Sequence, residues 1–279
     1  MEQSHLTPTI RANWLRLAMP IALLTSFLSM AQAATSEDAR EVAQALYERP
    51  GGQDLTTLSR MELAEKGRSP RVRELVAYRT KRAGGESAHL IRFTEPTDVA
   101  GTGLLSIDKA DGSNEQWLYL PALDRVRRIA GDRKGGRFVG SELYYEDLQE
   151  RQPSRDRHRL VGRDVVDGVA CDLLESVPLD KADSVYRKRV SCVDRATALA
   201  LRVDYYEHDD AAPSKRWLLV AKKKHKAYWT VTDSRMIDLA SGRETRMVVE
   251  EALYDRKLPA KLFTSQTLAD ENLEAEYRP

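Results

Sequence analysis

FTEPTDVAGTGLLSIDKADGSNEQWLYLPALDRVRRIAGDRKGGRFVGSELYYEDL, Phe93 to Leu148, decides the fold class, because short apolar runs alternate there with specified turns. Glu95-Pro96 and Gly101-Thr102-Gly103 bracket a break. After it, Leu104–Ile107 reads as a strand that ends on Asp111-Gly112-Ser113-Asn114. In Gln116–Leu120 the two-residue period puts Trp117 and Tyr119 on one face and Leu118 and Leu120 on the other. Both faces of that strand are therefore apolar. Pro121–Asp124 connects it to Arg125–Ile129 as the second arm of a hairpin, and the glycine-rich loop Gly131–Ser141 follows. Strands and turns without a catalytic constellation describe a shaped surface or a cavity rather than a reaction centre.

The same pattern extends in both directions. Strands are expected at Leu55–Glu65, Arg73–Lys81 and His89–Phe93, and then, beyond the central stretch, at Ala170–Val177 and Val185–Val193. Leu199–Glu207, Arg216–Lys226, Tyr228–Ile237 and Glu244–Tyr254 complete the set. Their spacing, with no long helical periods between them, predicts an antiparallel meander rather than alternating strand and helix units. About ten or eleven strands strain a flat open sheet, so a curled, half-open barrel is expected. Ser36–Arg49 reads as one amphipathic helix with Ala39, Val42, Ala43, Leu46 and Tyr47 on its apolar face, stopped by Pro50-Gly51-Gly52. Pro259 opens a short helix within Leu258–Leu268. The charged run Gln149–Arg159 is read as a loop or edge extension within one sheet.

The first thirty-three residues carry the three parts of an export signal: Arg11 and Arg16, the apolar run Leu17–Met30, and Ala31-Gln32-Ala33 as cleavage site. That run holds Pro20 and is shorter than the roughly twenty residues a spanning helix needs. Cleavage after Ala33 leaves 246 residues, enough for one domain over 34–279, with a net charge near zero instead of +1. Bulk electrostatics then select no nucleic acid. Cys171 and Cys192 stand at mirror positions about a turn near Asp180–Ala182, and in an oxidising compartment they are expected to form a disulfide.

Catalytic and metal motifs are missing from the linear sequence. His89, His158, His208 and His225 are isolated, without zinc-ligand spacing, and His208-Asp209-Asp210 is read as a solvated turn. Gly131–Ser141 has the glycines of an anion cradle, with Arg133, Lys134 and Arg137 adding charge, but lacks the ending of a phosphate-binding loop. No serine sits in a nucleophile elbow. No catalytic residue, metal or cofactor is assigned, and an envelope hydrolase is the least favoured reading.

The segments FTEPTDVAGTGLLSID, QWLYLPALDRVRRI, GGRFVGSELYYEDL and VDRATALALRVDYYE resemble the LolA-like outer membrane lipoprotein-sorting family. So does the long segment that runs from Tyr228 to Thr264, and the nearest branch is the one associated with MMPL/RND-type permeases. The resemblance implies an incomplete β-barrel with helices over its open side, and carriage of lipid or lipid-modified protein across the periplasm by a monomer in transient membrane contact. Trp117, Leu118 and Tyr119 become candidate wall residues for an acyl chain. Arg125, Arg127, Arg128, Arg133, Lys134 and Arg137 become candidate contacts for a head group or a permease, an adaptor role being the alternative. Protein recovered from an envelope fraction should begin at Ala34 by N-terminal sequencing; an intact Met1 there would refute the export reading.

Overall fold

The computed structural model describes residue 1, residues 36–208 and residues 212–279. The expected signal segment and Asp209-Asp210 lie outside the described residues. A helix, α1, spans residues 36–47, and thirteen strands follow. The first six are β1 (Asp54–Ala64), β2 (Arg71–Lys81), β3 (Ser87–Glu95), β4 (Gly103–Asp108), β5 (Asn114–Leu120) and β6 (Arg125–Arg128). The other seven are β7 (Asp156–Val166), β8 (Val169–Pro178), β9 (Lys188–Asp194), β10 (Leu199–Tyr206), β11 (Lys215–His225), β12 (Tyr228–Asp238) and β13 (Glu244–Tyr254). A four-residue helix, α2 (Asn272–Ala275), lies near the C-terminus.

All thirteen strands form one antiparallel sheet in the order β6-β5-β4-β3-β2-β1-β13-β12-β11-β10-β9-β8-β7. Two meanders therefore meet where β1 pairs with β13, from Leu55 opposite Tyr254 to Ala64 opposite Glu244. The free edges are β6 and β7, joined by the crossover 129–155. Tyr144 donates its hydroxyl to Glu207, just after β10, at 3.1 Å, while the carbonyl of Tyr145 accepts from Gln116 of β5 at 2.9 Å. Eight strand spacings separate β5 from β10, which is about 38 Å in a flat sheet. Two neighbouring residues span that gap only because the sheet curls around them. It remains open between β6 and β7, a half-barrel as expected. Bulges in the β11–β12 ladder near Leu219 and Ala221 add local bending.

The two faces of the β1–β5 half are covered differently. On the inner face Met61, Leu75, Phe93 and Leu104 pack against Phe138 of the crossover, with Leu143, Tyr145 and Leu148 around it. The Phe93 and Phe138 ring centroids are 5.5 Å apart. On the outer face Val76, Tyr78, Leu90 and Leu105 pack against Leu258, Leu262, Phe263 and Leu268 of the C-terminal tail. Burying those four tail side chains contributes roughly 6–12 kcal/mol before entropic costs. Within Leu258–Leu268, where Pro259 is expected to open a short helix, the tail makes a 3-10 turn at Ala260–Leu262 directly after Pro259 and a second at Thr267–Ala269. Leu262 and Phe263 are both buried there.

Arg92 pins the tail. Only 1% exposed, its guanidinium meets the fully buried Glu274 carboxylate at 2.6 Å and donates to the carbonyls of Gly101, Leu268 and Thr267. A Cβ at Gly103 would stand 2.7 Å from Arg92 Nη1, so the second glycine of Gly101-Thr102-Gly103 makes room for that side chain.

The sequence reading missed β7. Its segment DRHRLVGRDVV is an edge strand exposed along most of its length, and a register shift beside Gly162 breaks the alternation that would have marked it. Cys171 of β8 and Cys192 of β9 are disulfide-bonded, with Cα atoms 5.3 Å apart, and pack with Leu201. Glu274→Ala, which leaves the Arg92 charge buried without its partner, should lower stability by about 3–5 kcal/mol in urea unfolding. A change under about 1 kcal/mol would show that the pair does not hold the tail.

Candidate functional site

The remaining inner face lies under α1. Ala39, Val42 and Ala43 are buried and Leu46 half-buried against Leu174 of β8, Val193 of β9 and Leu160 of β7. Small residues on this face let the helix backbone come close to the strands. At its start Asp38 pairs with Arg195 at 2.9 Å. At its end Arg49 donates to the Trp229 carbonyl at 2.8 Å. Pro50-Gly51-Gly52, which stops the helix, is held in place: Arg79 donates to the Gly51 carbonyl, and the Gln53 amide donates to Asp255 at 2.7 Å. Gly52 adopts a φ of +74°, and a Cβ there would come within 2.9 Å of both Asp255 and Tyr254.

Two cavities border this helix. One of about 630 Å³ lies between Arg40 and Gln44 of α1 and Pro153, Arg157, His158 and Leu179. A second, of about 190 Å³, is lined by Ala43, Leu46, Tyr47, Leu174, Val203 and Tyr205. Pro153, Asp156 and His158 border both. Their polar groups are satisfied: Asp156 pairs with Arg151 at 2.8 Å and with Arg189. His158 bonds Ser176 and the Pro153 carbonyl, each at 2.9 Å. Burial pushes the His158 pKa down, favouring the neutral ring. A third cavity, about 320 Å³, is walled by Leu55, Ala77, Ile91 and Leu148 and rimmed by Arg79 and Glu150.

The crossover fills the middle of the inner face and is bolted to the second meander. Asp147 accepts from the Tyr186 hydroxyl at 2.9 Å and from Lys215 Nζ at 3.3 Å. The Lys215 ammonium lies 3.4 Å from the centroid of the Tyr144 ring. Burial lowers the Lys215 pKa, and Asp147 opposes that shift. Burial with nearby carboxylates drives the Tyr186 hydroxyl far upward and the Tyr144 hydroxyl up to about 12, so both stay donors. Asp183, in the β8–β9 connection, gathers Arg155 at 2.5 Å, Arg151 at 3.2 Å and Lys134 at 3.8 Å.

The expected wall residues divide. Leu118 joins the inner cluster with Phe138, whereas Trp117 and Tyr119 lie on the outer face against the tail. Arg125 and Arg127 are exposed on the edge strand β6, and Arg128 pairs with Glu115 at 2.7 Å. Arg133 is exposed, Lys134 faces Asp183, and Arg137 pairs with Glu142 at 3.0 Å and Asp238 at 3.6 Å. Gly131–Ser141 thus anchors the crossover through Phe138 and leaves few free charges. Sequence reasoning did not reach Val203, Tyr205 and Leu174 as cavity walls. Their alternation was visible, but their common face under α1 depends on strand register.

A half-open antiparallel barrel with a helix laid over its inner face is the LolA-like fold. An outer membrane lipoprotein-sorting protein domain from Vibrio parahaemolyticus is similar at 29% identity and a TM-score of 0.78, covering 84% of this chain and 99% of that one. A DUF1329 family protein from Desulfovibrio piger is similar at 28% identity and a TM-score of 0.79, with the same coverages. A LolA superfamily protein from Nitrosomonas europaea shares the fold at 16% identity and a TM-score of 0.63, again over 84% and 99%. Residues 85–270 match a family model described as an uncharacterized protein, and the chain belongs to that family. No curated protein matches the chain.

Arg155, Arg151 and Lys134 outweigh burial and hold the Asp183 carboxyl below its ordinary 3.8. Its stabilising contribution is therefore complete above about pH 3.8 and lost as the pH falls through the lower folded value. Asp183→Asn should be less stable than wild type at pH 7 and should flatten the acid limb of the stability profile below pH 3.8. Chemical denaturation across that range is the measurement, and parallel profiles would exclude the assignment.

Proposed function

We propose that this protein is a non-enzymatic periplasmic carrier, binding an acyl chain of a lipid or lipoprotein in the inner hollow of the half-barrel between the two membranes. The observation that carries the reading is α1, a helix with a thin apolar face lying over preformed cavities beside the crossover that fills the middle of the inner surface. Burying Ala39, Val42, Ala43 and part of Leu46 is worth roughly 4 kcal/mol gross. An acyl chain of about fourteen methylenes is worth roughly 11 kcal/mol gross. An acyl chain and the helix compete for the same floor, so a ligand can lift α1 while its end stays tethered through Arg49 and Gly51. Deeper insertion requires Phe138 and its neighbours to withdraw. The similarity to lipoprotein-sorting and LolA superfamily domains supports the same direction.

A second reading, an adaptor docking on an inner-membrane MMPL/RND-type permease, rests on β6, whose unpaired edge displays Arg125 and Arg127 to solvent. Charge reversal at Arg127 would then abolish co-purification with the permease and leave lipid binding intact.

Native mass spectrometry of gently purified protein should show a bound lipid mass, and the stripped protein should bind a fluorescent fatty acid. Ala43→Trp, which fills the smaller cavity, should weaken that binding roughly tenfold or more with unchanged circular dichroism. Wild-type protein that carries no lipid and binds no fatty acid would sink the carrier reading.

A further inference from the structure

The curl of the sheet assembles a group that no linear motif announces. His89 of β3, Asp108 at the end of β4 and Glu150 at the end of the crossover each turn one donor atom to a common point, and these atoms lie within 4.8 Å of one another. His89 Nε2 stands 3.5 Å from Glu150 Oε1 and 3.9 Å from Asp108 Oδ2. Donors on one ion with bonds near 2.0–2.2 Å stand roughly 3–4 Å from each other. These two separations exceed a good hydrogen bond and fall within the spacing of ligands around a metal, while the Asp108 and Glu150 oxygens lie within 4.8 Å of each other. His89 Nε2 is buried and has no hydrogen-bond partner.

The neighbours arrange the carboxylates for such a role. Asn114 donates to Oδ1 of Asp108 at 2.6 Å, and Ser87 donates to Oε2 of Glu150 at 2.9 Å. Each acid is thereby oriented through one oxygen while the other turns to the imidazole, the pattern by which outer hydrogen bonds fix metal ligands. Asp108 Oδ2 also accepts from the Glu150 amide at 3.2 Å and from Ser87 at 3.4 Å. Arg79 Nη1, 3.7 Å from Glu150 Oε1, is the nearest cation. The two carboxylates face the Arg79 guanidinium and, farther off, that of Arg49, which also interacts with Glu150. His89 and Glu150 also border the cavity walled by Leu55, Ala77, Ile91 and Leu148, so a fourth coordination position opens into it.

We propose that His89 Nε2, Asp108 Oδ2 and Glu150 Oε1 form a site for one divalent transition-metal ion, zinc being the best match to a nitrogen and two oxygens. The ion would tie the end of the crossover to β3 and β4. This inference does not depend on the lipid-carrier reading.

Full-length protein freed of metal with a chelator is titrated with Zn²⁺ by calorimetry, and with Co²⁺ by visible absorption. One equivalent should bind and raise the thermal unfolding midpoint. His89→Gln and Glu150→Gln should each weaken binding roughly tenfold or more and abolish the thermal shift. His208→Ala, on an exposed turn, should change neither. Circular dichroism confirms that the variants fold. Absence of Zn²⁺ and Co²⁺ binding, or binding that survives both site substitutions in folded protein, overturns the proposal.

Discussion

The crossover between β6 and β7 is the constraint on which the rest of the molecule depends. Because the strand order places those two strands at opposite edges, their connection must pass over one whole face of the sheet. It does so while touching strands of both meanders: Phe138 on β3, Gln116 of β5 at Tyr145, Lys215 of β11 at Asp147, and Thr245 of β13 at the Glu142 amide. A sheet pinned in this way from within bends, and a bent sheet has a hollow whose centre is already full. What remains open lies to either side, under α1 and beside Glu150.

A sheet with two apolar faces has to be covered twice, and this one divides the work between separate segments. In the β1–β5 half the crossover covers the inside and the tail the outside, with the Arg92–Glu274 pair locking the outer layer. Two buried charges are a poor source of net stability compared with apolar replacements, yet their hydrogen bonds admit one tail position only. The outer face is thereby fixed. The inner face of the other half rests on a helix with alanines at its contact, so the more weakly held cover lies over the cavities.

Much of the fold was legible because strand periodicity and turn chemistry are local. The α1 face of Ala39, Val42, Ala43, Leu46 and Tyr47 and the segments around β8 to β13 could be read directly, and the Cys171–Cys192 pairing followed from symmetric placement about a turn. What stayed hidden was set by register and curvature. In QWLYL alternation separated Trp117 and Tyr119 from Leu118, but nothing local says which face is inside. Of the β7 edge, only Asp156–Arg159 fell in the run read as a loop or edge extension, and solvent along most of the strand hid the rest. His89, Asp108 and Glu150 are far apart in sequence and meet only through the β3–β4 register and the returning crossover.

The seam where the two meanders join has a kinetic meaning. Leu55 pairs with Tyr254, so the first strand has its central-sheet partner only in the last. Every other ladder joins strands that follow one another along the chain. Each meander can zip from its own hairpins, but closing the seam brings together residues about two hundred positions apart, a slow search against chain entropy. Until β13 is complete, β1 presents an open edge ready to pair with another chain. The half-finished molecule is thus the one most exposed to misassembly, and the growing chain is safe only when its final strand has docked.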